Sequence, residues 1–201
     1  FLKLKDVEPI FIEWIEPLKD ERLPDYALRL VKDVEIKPTD ILVGFSLGGL
    51  IAQEIAAVKP VKKVILISSL RSGESLRPLF STAQKLQLLN LVNSDILKTT
   101  ITSGAKLLFF AQKERLKIMM EMLNQFSGEY YKWAMNEVLQ WNGANANCPV
   151  YHVHGDKDEI FPISLVKDAV IVKNGRHLMV TVKAKEVSKI LNQFISDSPA
   201  G

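Results

Sequence analysis

The stretch that most constrains this chain is Gly44-Phe45-Ser46-Leu47-Gly48-Gly49. It follows an apolar run, Ile41-Leu42-Val43, and opens a helix-like run from Leu50 to Ala57. The pattern predicts a sharp strand-to-helix turn with Ser46 at its apex. Side chains two residues either way would collide in such a turn, and glycine at 44 and 48 removes them. The helix that follows aims its first amides at the same spot, where negative charge is stabilised. The plain alternative is an ordinary strand-to-helix turn with a capping serine. A phosphate cradle fits less well, because no Lys-Ser/Thr pair follows the glycines.

Composition narrows the classes. The chain has 201 residues, enough for one sizeable core or a core with a small appended unit. Net charge is only +3 and the basic residues are scattered, so nothing calls for nucleic acid or an anionic membrane as partner. The single cysteine, Cys148, rules out an internal disulfide and reads as a small buried residue. With three histidines (His152, His154, His177) and no His-Glu-x-x-His pattern, no metal site is recognisable. No apolar run reaches the ~18 residues of a membrane span. Phe1-Leu2-Lys3-Leu4 is neither an initiator methionine nor a signal peptide. The sequence therefore reads as lacking its natural start, and a cytoplasmic location is expected with any targeting segment unobservable.

Strand-like and helix-like segments alternate along the chain. Val7 to Trp14 reads as a strand, with Pro9 favouring an edge. Pro24 to Val34 reads as an amphipathic helix. Ile41–Val43, Val64–Ser68, Cys148–Val153 and Ala169–Val172 are short continuous apolar runs, the signature of parallel strands covered on both faces. Glu186 to Ile195 closes with Val187, Ile190, Leu191 and Phe194 at helical spacing. The expectation is an α/β fold with a mostly parallel, doubly wound sheet. From Gly73 to Trp141 no strand is convincing. Helical stretches are expected at Lys85–Val92, Ala105–Gln112, Glu114–Phe126 and Glu129–Trp141. This segment is too long for a crossover and reads as an inserted all-helical cap, dividing the chain into 1–72, 73–141 and 142–201. Leu116, Met119, Met120 and Leu123 form one apolar stripe, with Ile118 and Met122 beside it. The stripe either packs the helices or roofs an apolar pocket.

Two further segments give the turn at Ser46 a chemical reading. His154-Gly155-Asp156-Lys157-Asp158-Glu159-Ile160-Phe161-Pro162 follows a strand, and Asn174-Gly175-Arg176-His177-Leu178-Met179 follows the next one. A serine hydroxyl is a weak nucleophile until a base takes its proton. Gly-x-Ser-x-Gly between strand and helix is the nucleophile elbow of serine hydrolases, where serine, acid and histidine follow in that chain order. The three segments together resemble an α/β-hydrolase with a helical cap, over about Val7 to Phe194. Ile12 to Pro17 and Ile65 to Ser69 resemble a compact bacterial subgroup of that family. The resemblance implies Ser46 as nucleophile, His177 as base, and an acid at Asp158, the third residue after Gly155. Asp156 is the rival acid, and either aspartate could simply form a turn. His152 is expected to point into the sheet layer, and His154 to brace the turn that carries the acid.

The resemblance also implies an oxyanion hole of two backbone amides. One belongs to Leu47. The other comes from a loop after an early strand, and no such loop lies between Phe1 and Ile41. That strand and loop are expected to be missing, leaving apolar surface and unpaired backbone near the middle of the sheet. One lost donor typically costs about 2.7–4 kcal/mol in the transition state. The implied function is hydrolysis of a carboxylic ester or thioester of a small to medium apolar acid, with no cofactor. The alternatives are a catalytically impaired or non-catalytic binding module, and an acyltransferase or carbon–carbon bond hydrolase with the same triad.

Overall fold

The computed structural model describes residues 1–72, 92–109 and 113–197. These fall into two units. The first gathers Phe1–Trp14, Arg22 to the described end at Ser72, and Asn142 onward; the second gathers Ile15–Glu21 with the described part of 76–141.

The first unit is built on a parallel sheet of four strands in the order β1 (Ile41–Phe45), β2 (Lys63–Ile67), β3 (Val150–Gly155), β4 (Val170–Val172). Every residue of β2 is buried, as a central parallel strand requires. Its side chains alternate between two cores. Val64 and Leu66 meet Ala52 and Ala56 of α2 (Leu47–Val58) on one face. Ile65 and Ile67 join Val153, Val172, Met179, Val187, Leu191 and Phe194 on the other. The last four come from α6 (Met179–Val182) and α7 (Ala184–Ser196). Helices on both faces make the sheet doubly wound, as the apolar runs predict. α1 (Leu23–Leu30) carries the expected Pro24 in its first turn, ends four residues short of the expected Val34, and packs on α2. β1 forms one edge of the sheet, with Val43 half exposed.

One lysine lies wholly inside this unit. Lys63 is 0% exposed, its ammonium donating to the Phe194 and Asp197 carbonyls at 2.7 and 2.5 Å and lying 5.0 Å from the Tyr151 ring. Burial pulls its pKa down.

The strand expected at Val7–Trp14 does not form. A strand needs a neighbour to share its amides with. Just upstream, the Lys3 and Lys5 amides donate instead to the side chains of Ser188 and Asn192 on α7, at 2.9 and 2.8 Å. Cys148 is half-buried beside the Ala52–Ala56 core, and burial raises its pKa.

The second unit is helical in its described residues: α3 (Ser94–Phe109), α4 (Lys113–Asn124) and α5 (Gly128–Gln140). The helix expected at Lys85–Val92 lies outside the described residues, apart from Val92. α3 starts eleven residues before the expected Ala105, because Asn93 caps it: its side chain accepts the Asp95 and Ile96 amides at 2.9 and 3.3 Å. Ser127 caps α5, accepting the Tyr130 amide at 3.0 Å while its hydroxyl donates to Glu16 at 2.9 Å. Trp133 donates to the Glu21 carbonyl at 2.7 Å, which ties Ile15–Glu21 to these helices. Leu116, Met119, Met120 and Leu123 are half-buried along α4, and Met122 is exposed.

Candidate active site

β1 ends at Phe45 and α2 begins at Leu47, so Ser46 occupies the one-residue corner between them. Its backbone sits at φ 53°, ψ −123°, a region L-residues avoid. Three bonds hold it there. The Ser46 amide donates to the Ile67 carbonyl at 3.0 Å, the Gly49 amide donates to the Ser46 carbonyl at 3.0 Å, and the Ser69 hydroxyl donates to that same carbonyl at 2.7 Å.

The glycines around the corner do not share the task as expected. A Cβ on Gly44 would lie 2.2 Å from the Gly48 carbonyl oxygen, so glycine is obligatory there. A Cβ on Gly48 would meet nothing closer than the Trp14 ring at 3.8 Å. The second crowded position is Gly49, whose Cβ would lie 2.2 Å from Ser69 Oγ. The corner therefore crowds one residue later than the spacing of the motif suggests.

The other two loops come together backbone to backbone. Gly155 at the end of β3 touches Gly175 after β4; a Cβ on Gly155 would lie 2.3 Å from the Gly175 oxygen. The Lys157 amide donates to that oxygen at 2.8 Å. The approach brings Asp158 beneath His177. His177 Nδ1 lies 3.0 and 2.9 Å from the two Asp158 oxygens, and His177 Nε2 lies 3.0 Å from Ser46 Oγ. A carboxylate only accepts, so Nδ1 carries the proton and Nε2 is left to accept from the serine hydroxyl. Asp158 and His177 are each 5% exposed, whereas Ser46 is partly open to solvent. The rings of Phe45 and Phe161 flank the imidazole at 5.2 and 5.7 Å.

Asp158 is held as an anion. Burial alone would push its pKa up, but its bonds and charge interaction with His177 and the Phe161 amide outweigh that and hold it below the ordinary carboxylate value. Ile160 and Phe161 donate their amides to Oδ1 at 2.9 and 2.8 Å. Asp156 makes no bond to His177, and its Oδ1 is buried without a partner.

His154 donates from Nε2 to the Phe161 carbonyl at 2.8 Å and lies 3.5 Å from Asp158, closing the acid-bearing turn as expected. Burial lowers its pKa, which keeps the ring neutral. His152 points into the sheet layer, also as expected, and desolvation lowers its pKa to about 3. Leu47 contributes the first amide of α2 beside Ser46, and that amide has no acceptor among the described residues.

Two contacts were not visible in the sequence. Ser69 braces the Ser46 carbonyl from 23 residues away, and Glu159 accepts the His177 amide at 3.3 Å from 18 residues away. Each joins loops that only the folded sheet makes neighbours. Among the described residues no cluster of three or more His, Cys, Asp or Glu could hold a metal ion, and no helix is long and apolar enough to cross a membrane.

No protein-family model matches the chain, and no curated protein matches it. Solved structures do. A hydrolase from Pseudomonas aeruginosa superposes with a TM-score of 0.64 at 14% identity, over 90% of this chain and 74% of that one. A thermophilic esterase from Thermogutta terrifontis gives 0.60 at 13%, over 91% and 74%. A bromoperoxidase from Bacillus anthracis gives 0.54 at 17%, over 91% and 77%. At such identities the likeness is one of fold.

Proposed function

The chain has the α/β-hydrolase fold, and on that frame we propose that it is a serine hydrolase acting on a carboxylic ester or thioester of a small to medium apolar acid. One observation carries the reading: the unbroken hydrogen-bonded line from Ser46 Oγ through the His177 ring to the Asp158 carboxylate. Such a line has a direction. Asp158 fixes the tautomer that leaves Nε2 able to take a proton, and it stabilises the imidazolium that results.

The reaction follows from that direction. Ser46 Oγ attacks the substrate carbonyl as its proton passes to His177 Nε2. The oxygen that gains charge is met by the Leu47 amide at the positive end of α2. His177 then returns the proton to the departing alkoxide or thiolate, leaving an acyl group on Ser46. Water, activated by the same imidazole, hydrolyses that acyl-enzyme and restores the hydroxyl. The cycle calls on no cofactor. The Thermogutta terrifontis neighbour is an esterase, which supports the ester class.

Labelling with a fluorophosphonate tests the assignment. The probe should modify Ser46, and Ser46→Ala should abolish labelling while the circular dichroism spectrum is preserved. Labelling that persists in the variant, or maps to Ser68, Ser69 or Ser72, would remove Ser46 from the mechanism. Turnover of p-nitrophenyl esters of rising chain length then reports the acyl preference.

A further inference from the structure

We infer that Glu159 is a positioning residue for His177, gripping its main chain while Asp158 grips its ring. The inference rests on the hydrolase reading above. Asp158 and Glu159 are consecutive in sequence, yet both turn toward one residue. Asp158 accepts from Nδ1 at 2.9–3.0 Å. Glu159 Oε2 accepts from the His177 backbone amide at 3.3 Å. Its other oxygen, Oε1, is buried without a hydrogen bond and faces the Arg176 guanidinium at 3.9 Å. The Glu159 side chain is 18% exposed and that of Arg176 45%.

Geometry explains why a second grip matters. The Asp158 carboxylate fixes the direction of the Nδ1–H bond, and the Phe45 and Phe161 rings limit the swing of the imidazole about it, but neither sets where the side chain leaves the backbone. Nε2 lies on the far side of the ring, and its distance to Ser46 Oγ changes with any such swing. Fixing the His177 backbone sets where the side chain starts, so the imidazole has two anchors rather than one. The rest of the loop is tied through backbone at Gly175 and Arg176, by the Gly175 amide to Val172, the Lys157 amide to Gly175 and the Met179 amide to Arg176 at 3.0, 2.8 and 2.9 Å, and none of these bonds holds His177 itself. Residues 173–178 form no helix or strand, and Gly175 touches Gly155 only through backbone. Arg176 faces the carboxylate at Oε1, 3.9 Å away, and so leaves Oε2 to hold the amide. A carboxylate in this place also avoids the conflict that a donor side chain would create with the His177 amide.

Three variants and two readouts test the grip. Glu159→Ala removes it. Glu159→Asp withdraws the carboxylate by one methylene. Glu159→Gln keeps an accepting oxygen without the charge. The readouts are hydrogen exchange of the His177 amide, followed by nitrogen–proton spectra, and kcat and KM for a p-nitrophenyl ester. In Glu159→Ala and Glu159→Asp, exchange should quicken and kcat fall, each by about tenfold, a change typical of losing one hydrogen bond, while KM stays within about twofold. Glu159→Gln should restore both. Exchange or kcat within about twofold of wild type in both shortened variants would overturn the inference. So would a Gln variant as impaired as the Ala variant. If the wild-type chain neither turns over esters nor labels at Ser46, the hydrolase reading falls by itself, and an unchanged exchange rate in Glu159→Asp then overturns the grip independently.

Discussion

Replacing His152 by leucine should remove a single, measurable increment of acid sensitivity. His152 is 2% exposed, and neither ring nitrogen makes a hydrogen bond of ordinary geometry. Desolvation lowers its pKa to about 3, and a Ser69 backbone group offsets only part of that. An unfolded histidine titrates near 6.5. The unfolded chain therefore binds this proton more readily than the folded one. Stability is complete above about pH 6.5 and declines as pH falls, until the folded-state pKa is reached. Between about pH 7.5 and 5 the wild-type chain should lose about 2 kcal/mol through this residue alone, at a limiting slope of about 1.4 kcal/mol per pH unit. His154, also lowered by burial, adds a loss of the same sign. Asp158 loses its stabilising charge only at lower pH, as pH falls through its depressed pKa. Both remain in the variant, so the difference between the two proteins reports His152 together with its interaction with the His154 ring 5.3 Å away. Leucine has a similar volume and brings no polar atom, so it should be neutral or stabilising at pH 7.5. Urea unfolding followed by tryptophan fluorescence at several pH values gives the two curves. If they run parallel from pH 7.5 to 5, His152 is not buried in the neutral form and the reasoning fails.

Two further perturbations probe the site. Asp158→Asn should lower kcat by orders of magnitude, on the order of 10⁴ where the same change has been made in a serine protease, while Asp156→Asn should have a far smaller effect; kinetics in which Asp156 proves the more sensitive would move the acid. Gly44→Ala should destabilise the fold and abolish fluorophosphonate labelling, because its Cβ falls 2.2 Å from the Gly48 oxygen. Gly48→Ala, whose Cβ would make an ordinary contact with the Trp14 ring at 3.8 Å on a helical backbone, should instead be neutral or raise stability by up to about 0.5–1 kcal/mol. Thermal melts of the two alanine variants check the contrast, and equal destabilisation would show that the corner crowds on both sides.

The strands were legible in the sequence because each is a short apolar run; burial on both faces enforces this only for β2, while Val43 of β1 and Val170 and Ile171 of β4 are exposed although the runs predicted cover on both faces. The same logic misled at Val7–Trp14. Its residues suit a strand, but pairing depends on a neighbour, which local sequence cannot supply. Ser46, Asp158 and His177 could be proposed because the motifs that carry the family resemblance are short and local, and the fold brings the three side chains within hydrogen-bond distance. The glycines themselves were harder to read. Gly48 is roomy and Gly49 is crowded because of Ser69, a residue beyond the next strand. Glu159 was hidden for a similar reason: next to a stronger candidate it looked like one more acid in a polar turn. Its meaning comes from the contact of two loops at Gly155 and Gly175.

Lys63 ties the two ends of the first unit's history together. Its ammonium sits at the start of the most buried strand, and its acceptors are carbonyls contributed more than 130 residues later. Until the final helix docks, the Lys63 ammonium has water and the Tyr151 ring beside it; docking removes that water, and the Phe194 and Asp197 carbonyls must replace it because hydrocarbon alone tolerates a cation poorly. The centre of the sheet is thus unfinished until the last turn of α7 arrives. Trimming that turn would touch no strand, yet it would leave the cation at the start of β2 without its two carbonyl acceptors.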